Sequence, residues 1–209
     1  MCGGTGLYLR ALLQGLSAGP GKNSDVRKRL EAEAQKNGLS VLYERLREVD
    51  PDATRWIHPN DRYRIIRALE VFELTGKGIS RWQKEHGFAE SAFEVIKIGL
   101  NRERRELYEL INQRCDEMIA GGLVDEVKGL VEKGYSLDLP ALQSVGYRQI
   151  GLYLRGELSL EQAVILIKRD TRHLAKRQLT WFRADKEIRW FHPERERDKI
   201  GEQVERFLL

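Results

Sequence analysis

Arg169, Arg172, Lys176, Thr180 and Arg183 recur at three- and four-residue spacing. At roughly 100° per residue they fall on one narrow helical stripe, while Ile167, Leu174, Trp181 and Phe182 face the other way and are expected to be buried. Cations ordered like this suit a polyanion, because each phosphate they neutralise releases condensed counterions. A solvated basic face without a partner is the competing reading. The segment from Gln143 to Arg183 holds eight basic residues against three acids, a net of +5, while the whole chain is +4. The rest of the chain therefore sums to −1, so the positive charge is concentrated in this segment.

Four further groups carry possible chemistry. Gly3-Gly4-Thr5-Gly6 opens a helix whose apolar face holds Leu9, Leu12, Leu13 and Leu16; it is either a plain turn or an anion seat at a helix N-terminus. In His58-Pro59-Asn60-Asp61, Asn60 or Asp61 caps a helix running to Gly76. Ile65, Leu69 and Phe72 form its packed side, while Arg64 and Arg67 make either surface ion pairs or a phosphate clamp beside the stacking ring of Tyr63. Arg114 stands in an apolar stripe of Leu107, Ile111 and Met118. A guanidinium buried there requires a carboxylate or an anionic ligand. Finally, Gly146 allows close backbone approach in Gln143-Ser144-Val145-Gly146-Tyr147-Arg148-Gln149, where Tyr147 and Arg148 offer a ring beside a cation.

The elements that position these groups are mostly helical. Short charged helices are expected over 25–35, 41–49 and 51–57, after a hinge at Gly19-Pro20-Gly21. Val95 to Leu100 reads as a strand, with Asn101 capping the long helix that follows, and Gly121-Gly122 ends that helix. Ser159 with Gln162 is a capping box for the basic helix. Ile188 to His192 is a second strand, and a last helix begins near Lys199. With 41% hydrophobic and 33% charged residues the chain can build a core. Cys2 and Cys115 are far apart, and His58, His86, His173 and His192 are scattered without zinc spacing, so no metal ligand set is expected. Gly21-Lys22-Asn23-Ser24 fails as a Walker A loop. No apolar run approaches the length of a membrane span, and free thiols fit a reducing cytoplasm.

Four motifs occur in order: Gly3-Gly4-Thr5-Gly6-Leu7-Tyr8; His58-Pro59-Asn60-Asp61 with Arg64 and Arg67-Ala68-Leu69-Glu70; Ser144-Val145-Gly146-Tyr147-Arg148-Gln149; and Ala175-Lys176-Arg177-Gln178-Leu179-Thr180-Trp181-Phe182-Arg183. Together they resemble the bacterial tRNA dimethylallyltransferases, or tRNA isopentenyltransferases. The resemblance implies an α/β fold: a mostly helical part of a P-loop NTPase-like parallel-sheet core with a helical insertion. On that basis residues 1–20 belong to the core, 21–92 to a helical tRNA-binding insertion, and 93–209 to the remainder of the core. The implied reaction moves a dimethylallyl group from dimethylallyl diphosphate to N6 of adenosine 37 in the tRNA anticodon stem-loop, with Mg²⁺ assisting the leaving pyrophosphate.

Carried over to this sequence, Thr5 and Arg27 are expected to touch tRNA near the reacting adenine. The other expected contacts are Tyr63, Arg64, Ile65, Ile66 and Arg67; Gln143, Ser144, Val145, Gly146, Tyr147 and Arg148; and Lys176, Arg177, Gln178, Leu179, Thr180, Trp181, Phe182 and Arg183. Thr5 and Arg114 are the expected catalytic residues, Arg114 as the pyrophosphate cation because of its misfit in an apolar stripe. The family's P-loop and its Asp-Ser-x-Gln segment, which supplies the catalytic base, do not occur in these residues. The chain is therefore expected to bind RNA without turning over. The complete enzyme is expected to be monomeric, and this portion is expected to self-associate through unpaired strand edges. A non-catalytic RNA-binding helical module and an adenylate isopentenyltransferase acting on a free nucleotide are the alternative readings.

Overall fold

The computed structural model describes residues 1–15, 19–87 and 93–209. Leu16, placed above on an apolar helix face, lies outside the described residues. The chain divides into two units, one of Met1–Gly6 with Val95–Leu209 and one of Leu7–Glu94. The first break falls at Gly6, earlier than the boundary after residue 20 read from the glycine-proline hinge.

The smaller unit is helical. The first helix of the chain, α1 (Gly6–Gln14), begins at its edge and buries no residue. Next, α2 (Ser24–Asn37) starts at Asn23, whose side chain accepts from the amides of Asp25 and Val26. Gly38, at φ 91°, turns the chain into α3 (Leu39–Val49), and the left-handed conformation suits glycine there. The fourth helix, α4 (Arg62–Thr75), is capped by the Asp61 carboxylate and closed by left-handed Gly76, as expected from sequence. Leu30, Leu42, Leu46, Ile65 and Leu69 are fully buried where these helices meet. Buried Asp50 accepts from the Ser80 amide and hydroxyl, which anchors the start of α5 (Ile79–His86).

The larger unit pairs β1 (Ile98–Leu100) in parallel with β2 (Arg189–Phe191), in the register Ile98 to Arg189 and Leu100 to Phe191. The two expected strands are thus partners along one edge, and among the described residues no third strand pairs with their outer edges. Between them run α6 (Arg104–Ala120), α7 (Leu123–Glu132), α8 (Tyr147–Leu154) and α9 (Leu160–Arg183), and α10 (Arg197–Leu208) follows. Glu103, not Asn101, occupies the cap of α6. The Asn101 amide continues the strand instead, donating to the Phe191 carbonyl at 2.9 Å. Cys115, Val127, Ile150, Ala163 and Ile167 form the core. Among the described residues no helix is long and apolar enough to cross a membrane.

Candidate nucleic-acid interface

Helix α9 begins at the expected capping box: Ser159 Oγ accepts from the Gln162 amide, and Gln162 Oε1 accepts from the Ser159 amide. Ala163 and Ile167 then bury one face against the core. One turn further on, the face toward α6 becomes polar. Lys168 pairs with Asp116 at 2.7 Å, and Arg172 donates to Asn112 Oδ1 at 2.6 Å while lying 5.8 Å from the Tyr108 ring centroid. Arg172 is therefore held against α6 and does not belong to a free cationic stripe. The opposite face corrects the sequence reading as well, since Leu174 is 39% and Trp181 37% exposed. Periodicity identified the residues that share a face, but among the described residues that face is only partly covered at these positions. Past Arg172, His173, Lys176, Arg177, Thr180 and Trp181 line an open groove.

The glycine-rich start lies on this end of α9. Gln178 Nε2 donates to the Gly4 carbonyl at 3.0 Å. A Cβ at Gly6 would overlap the Trp181 ring, and one at Gly4 would overlap the Gln178 amide. The close approach to the rigid ring calls for glycine at position 6, whereas at position 4 the end of the flexible Gln178 side chain would have to shift. The loop carrying Thr5 is thereby fixed beside the basic groove.

A second glycine loop is tied one turn past the middle of α9's buried section. Gly146, at φ 102°, precedes α8. Its amide donates to Gln149 Oε1 at 2.9 Å, and Gln149 Nε2 donates to Asp170 Oδ2 at 2.8 Å. Gln149 is only 1% exposed, so both ends of its amide are matched inside the unit. Asp170 also accepts from Arg148 and Arg169. The Arg169 hydrogen bond, opposed by burial and helped by Gln149 and Arg148, holds its carboxyl below the usual aspartate range. Tyr147 is not a free ring: its hydroxyl donates to Glu126, and that bond raises its pKa. Gln143, Ser144 and Arg148 remain at the surface, with Val145 half-buried. Sequence reading quoted Gln149 within a motif but assigned no role to it or to Asp170.

The smaller unit contains a separate arrangement. Glu70 is fully buried on α4. Its carboxylate accepts from Arg27 Nε at 3.0 Å, Arg67 at 2.7 Å and the Asn23 amide at 2.7 Å. Burial alone would raise its pKa, but the hydrogen bonds from Arg27, Arg67 and Asn23 outweigh that and lower it to about 2. Arg67 also reaches the carbonyls of Pro20 and Gly21, and Arg27 lies 5.5 Å from the ring centroid of Tyr63, which is 64% exposed. Arg64 pairs with Asp61, while Ile65 and Ile66 are buried. Of this predicted stretch, Tyr63 and Arg64 are open to a ligand, Arg67 is committed to Glu70, and the two isoleucines pack. Neither Glu70 nor Asn23 was assigned a role from sequence, although the Asn-Ser-Asp run at 23–25 carried the signal for a cap.

Arg114 is exposed, and so is Met118 beside it, so the apolar stripe around it is not buried as a whole. The buried line of α6 passes instead through Cys115. Among the described residues no group of three His, Cys, Asp or Glu side chains is placed to hold a metal ion.

The family model described as IPP transferase matches residues 1–185. The chain belongs to the IPP transferase family. It is 54% identical to a tRNA dimethylallyltransferase of Syntrophobacter fumaroxidans over 90% of this chain and 55% of the relative. It is 53% identical to tRNA dimethylallyltransferase 1 of Pelobacter propionicus over 92% of this chain and 63% of that protein. The crystal structure of the tRNA isopentenylpyrophosphate transferase from Bacillus halodurans is similar at TM-score 0.60 and 37% identity, over 98% of this chain and 63% of that one. A eukaryotic dimethylallyltransferase described as acting on tRNA is similar at TM-score 0.65 and 27% identity, over 85% of this chain and 45% of that one. The 209 residues of this IPP transferase chain therefore span roughly half to under two thirds of these relatives.

Proposed function

We propose that this chain forms the tRNA-holding part of a tRNA dimethylallyltransferase. The supporting observation is that α9 carries a basic groove and, tied to it by glutamine amides, both glycine loops. Relatives named for the same reaction support the choice of nucleic acid. In that reaction the adenine N6 attacks C1 of the dimethylallyl group, the bond from C1 to the diphosphate oxygen breaks, and pyrophosphate leaves. The N6 proton passes to a carboxylate. An exocyclic amine is unreachable within a stacked helix, so the adenine must first be extruded.

Within this scheme the residues divide by task. Lys176, Arg177 and Arg183 follow the phosphate backbone, and Thr5, held beside them, meets the extruded adenosine. Tyr63 stacks on a base, with Arg27 and Arg64 beside it. Arg114, exposed and without an ion pair among the described residues, is the candidate cation for pyrophosphate. The 209 residues include neither a Walker A loop nor an Asp-Ser-x-Gln segment, so the purified chain is expected to bind RNA without prenyl transfer. Reversing one charge in the groove and one at the C-terminal end of α9 tests the reading. Lys176→Glu with Arg183→Glu should weaken binding of an anticodon stem-loop RNA and flatten its dependence on log salt by about 1.4, at about 0.7 for each lost phosphate contact on single-stranded RNA. Unchanged affinity and slope would defeat it.

A further inference from the structure

We propose that Glu70 is a positioning residue for RNA binding: a buried anion that holds the RNA-facing cation Arg27 under Tyr63. The inference rests on the RNA-binding reading above and extends it to a residue that RNA cannot touch. Three connections converge on this carboxylate. Asn23, which caps α2, donates its amide to Glu70 Oε1, so the start of α2 is fixed against α4. Arg27, one turn into α2, grips both carboxylate oxygens through Nε and Nη2. Arg67 bonds the same carboxylate and also the carbonyls of Pro20 and Gly21, which lead into α2.

The consequence for a ligand lies at the outer side of Arg27. A long arginine normally samples many rotamers, and ordering it on binding opposes association. Here its inner edge is already bound, and its guanidinium lies within cation–π range of Tyr63. The ring is therefore presented with a cation behind it, ready for a base to stack on its exposed side. Glu70 carries the wrong charge for a polyanion partner, yet it organises the cations that partner meets.

That opposition supplies the test. Glu70→Gln raises the net charge of the chain by one, so counting charges predicts tighter RNA binding. The positioning role predicts the opposite, a loss of about two- to fivefold, the value of a cation–π contact. Affinity for an anticodon stem-loop RNA is measured by fluorescence anisotropy with the full 209-residue chain at several salt concentrations, and circular dichroism checks folding. Should Glu70→Gln not fold, Arg27→Lys keeps the charge but loses the planar two-oxygen grip and should weaken binding similarly. Unchanged or tighter binding by a folded Glu70→Gln chain, or unchanged binding by Arg27→Lys where Glu70→Gln does not fold, overturns the proposal. If the wild-type chain binds and the Lys176→Glu, Arg183→Glu chain does not, such a result removes only the role of Glu70. A wild-type chain that fails to bind removes the RNA reading and this inference with it.

Discussion

Gln149→Leu is the most informative change in the larger unit, because it alters one buried amide without touching the surface. In the wild type that amide accepts from the Gly146 amide and donates to Asp170. Leucine leaves the Gly146 N–H, in a buried residue, without an acceptor, at a cost of about 1–3 kcal/mol. It also removes a hydrogen bond to a charged group, a further loss of about 1.5–3 kcal/mol. The buried leucine side chain returns about 1–2 kcal/mol of transfer free energy. The net expectation is a destabilisation centred on about 3 kcal/mol, or on the order of 10 °C in melting temperature for a unit of this size. Urea denaturation followed by circular dichroism measures the loss, and hydrogen exchange of the α8 and α9 amides assigns it to the larger unit. Gln149→Glu provides an internal control. It keeps an acceptor for Gly146 but sets a second carboxylate against Asp170, so it should be destabilised at neutral pH and recover as the pair takes up a proton on acidification. A loss below about 1 kcal/mol for Gln149→Leu, with α8 protection intact, would refute the assignment of Gln149 as the link between the Gly146 loop and α9.

Two further outcomes follow from the ion pairs. Glu70 is held at about 2, against 4.5 for an unperturbed glutamate. A carboxylate depressed in the folded state contributes its full stability above the unfolded pKa and loses it as pH falls toward the folded one. The helical unit should thus lose on the order of 3 kcal/mol between about pH 4.5 and pH 2, seen by circular dichroism. Glu70→Gln should show a flatter acid profile there, and identical profiles would contradict the pairing. In the larger unit, Arg172→Gln should lower stability while leaving the salt slope of RNA binding unchanged, whereas Lys176→Gln should flatten that slope by about 0.7.

Local signals were legible in the sequence wherever the physics is local. Ser159 and Gln162 satisfy each other across one turn, Asp61 and Gly76 bound a helix by their own backbone preferences, and Gly121-Gly122 ends one. Each of these depends on residues within a few positions. Asn101 misled because Asn is a good cap in isolation, whereas here its amide is drawn into the strand ladder beside Phe191. The ordered motifs identified the family, yet the links inside the sites span long separations. Asn23 reaches Glu70 across 47 positions, Gln149 reaches Asp170 across 21, and Gln178 reaches Gly4 across 174. No window of helical periodicity contains both members of such a pair.

The same limitation decides how the basic stripe should be counted. From sequence, every cation between Gln143 and Arg183 is equally available to RNA. In the structure Arg148 and Arg169 share Asp170, Arg155 pairs with Asp138, Lys168 pairs with Asp116, and Arg172 is held by Asn112. Lys176, Arg177 and Arg183 have no such partner among the described residues, and all three are exposed near the C-terminal end of α9. A cation already paired with a carboxylate must break that pair to neutralise a phosphate, so it adds little to counterion release. Among the described residues the unpaired positive charge of this segment is therefore concentrated in the last two turns of α9, beside the loop that carries Thr5. Asp170, in the middle of α9, fixes the second glycine loop through Gln149 and Arg148.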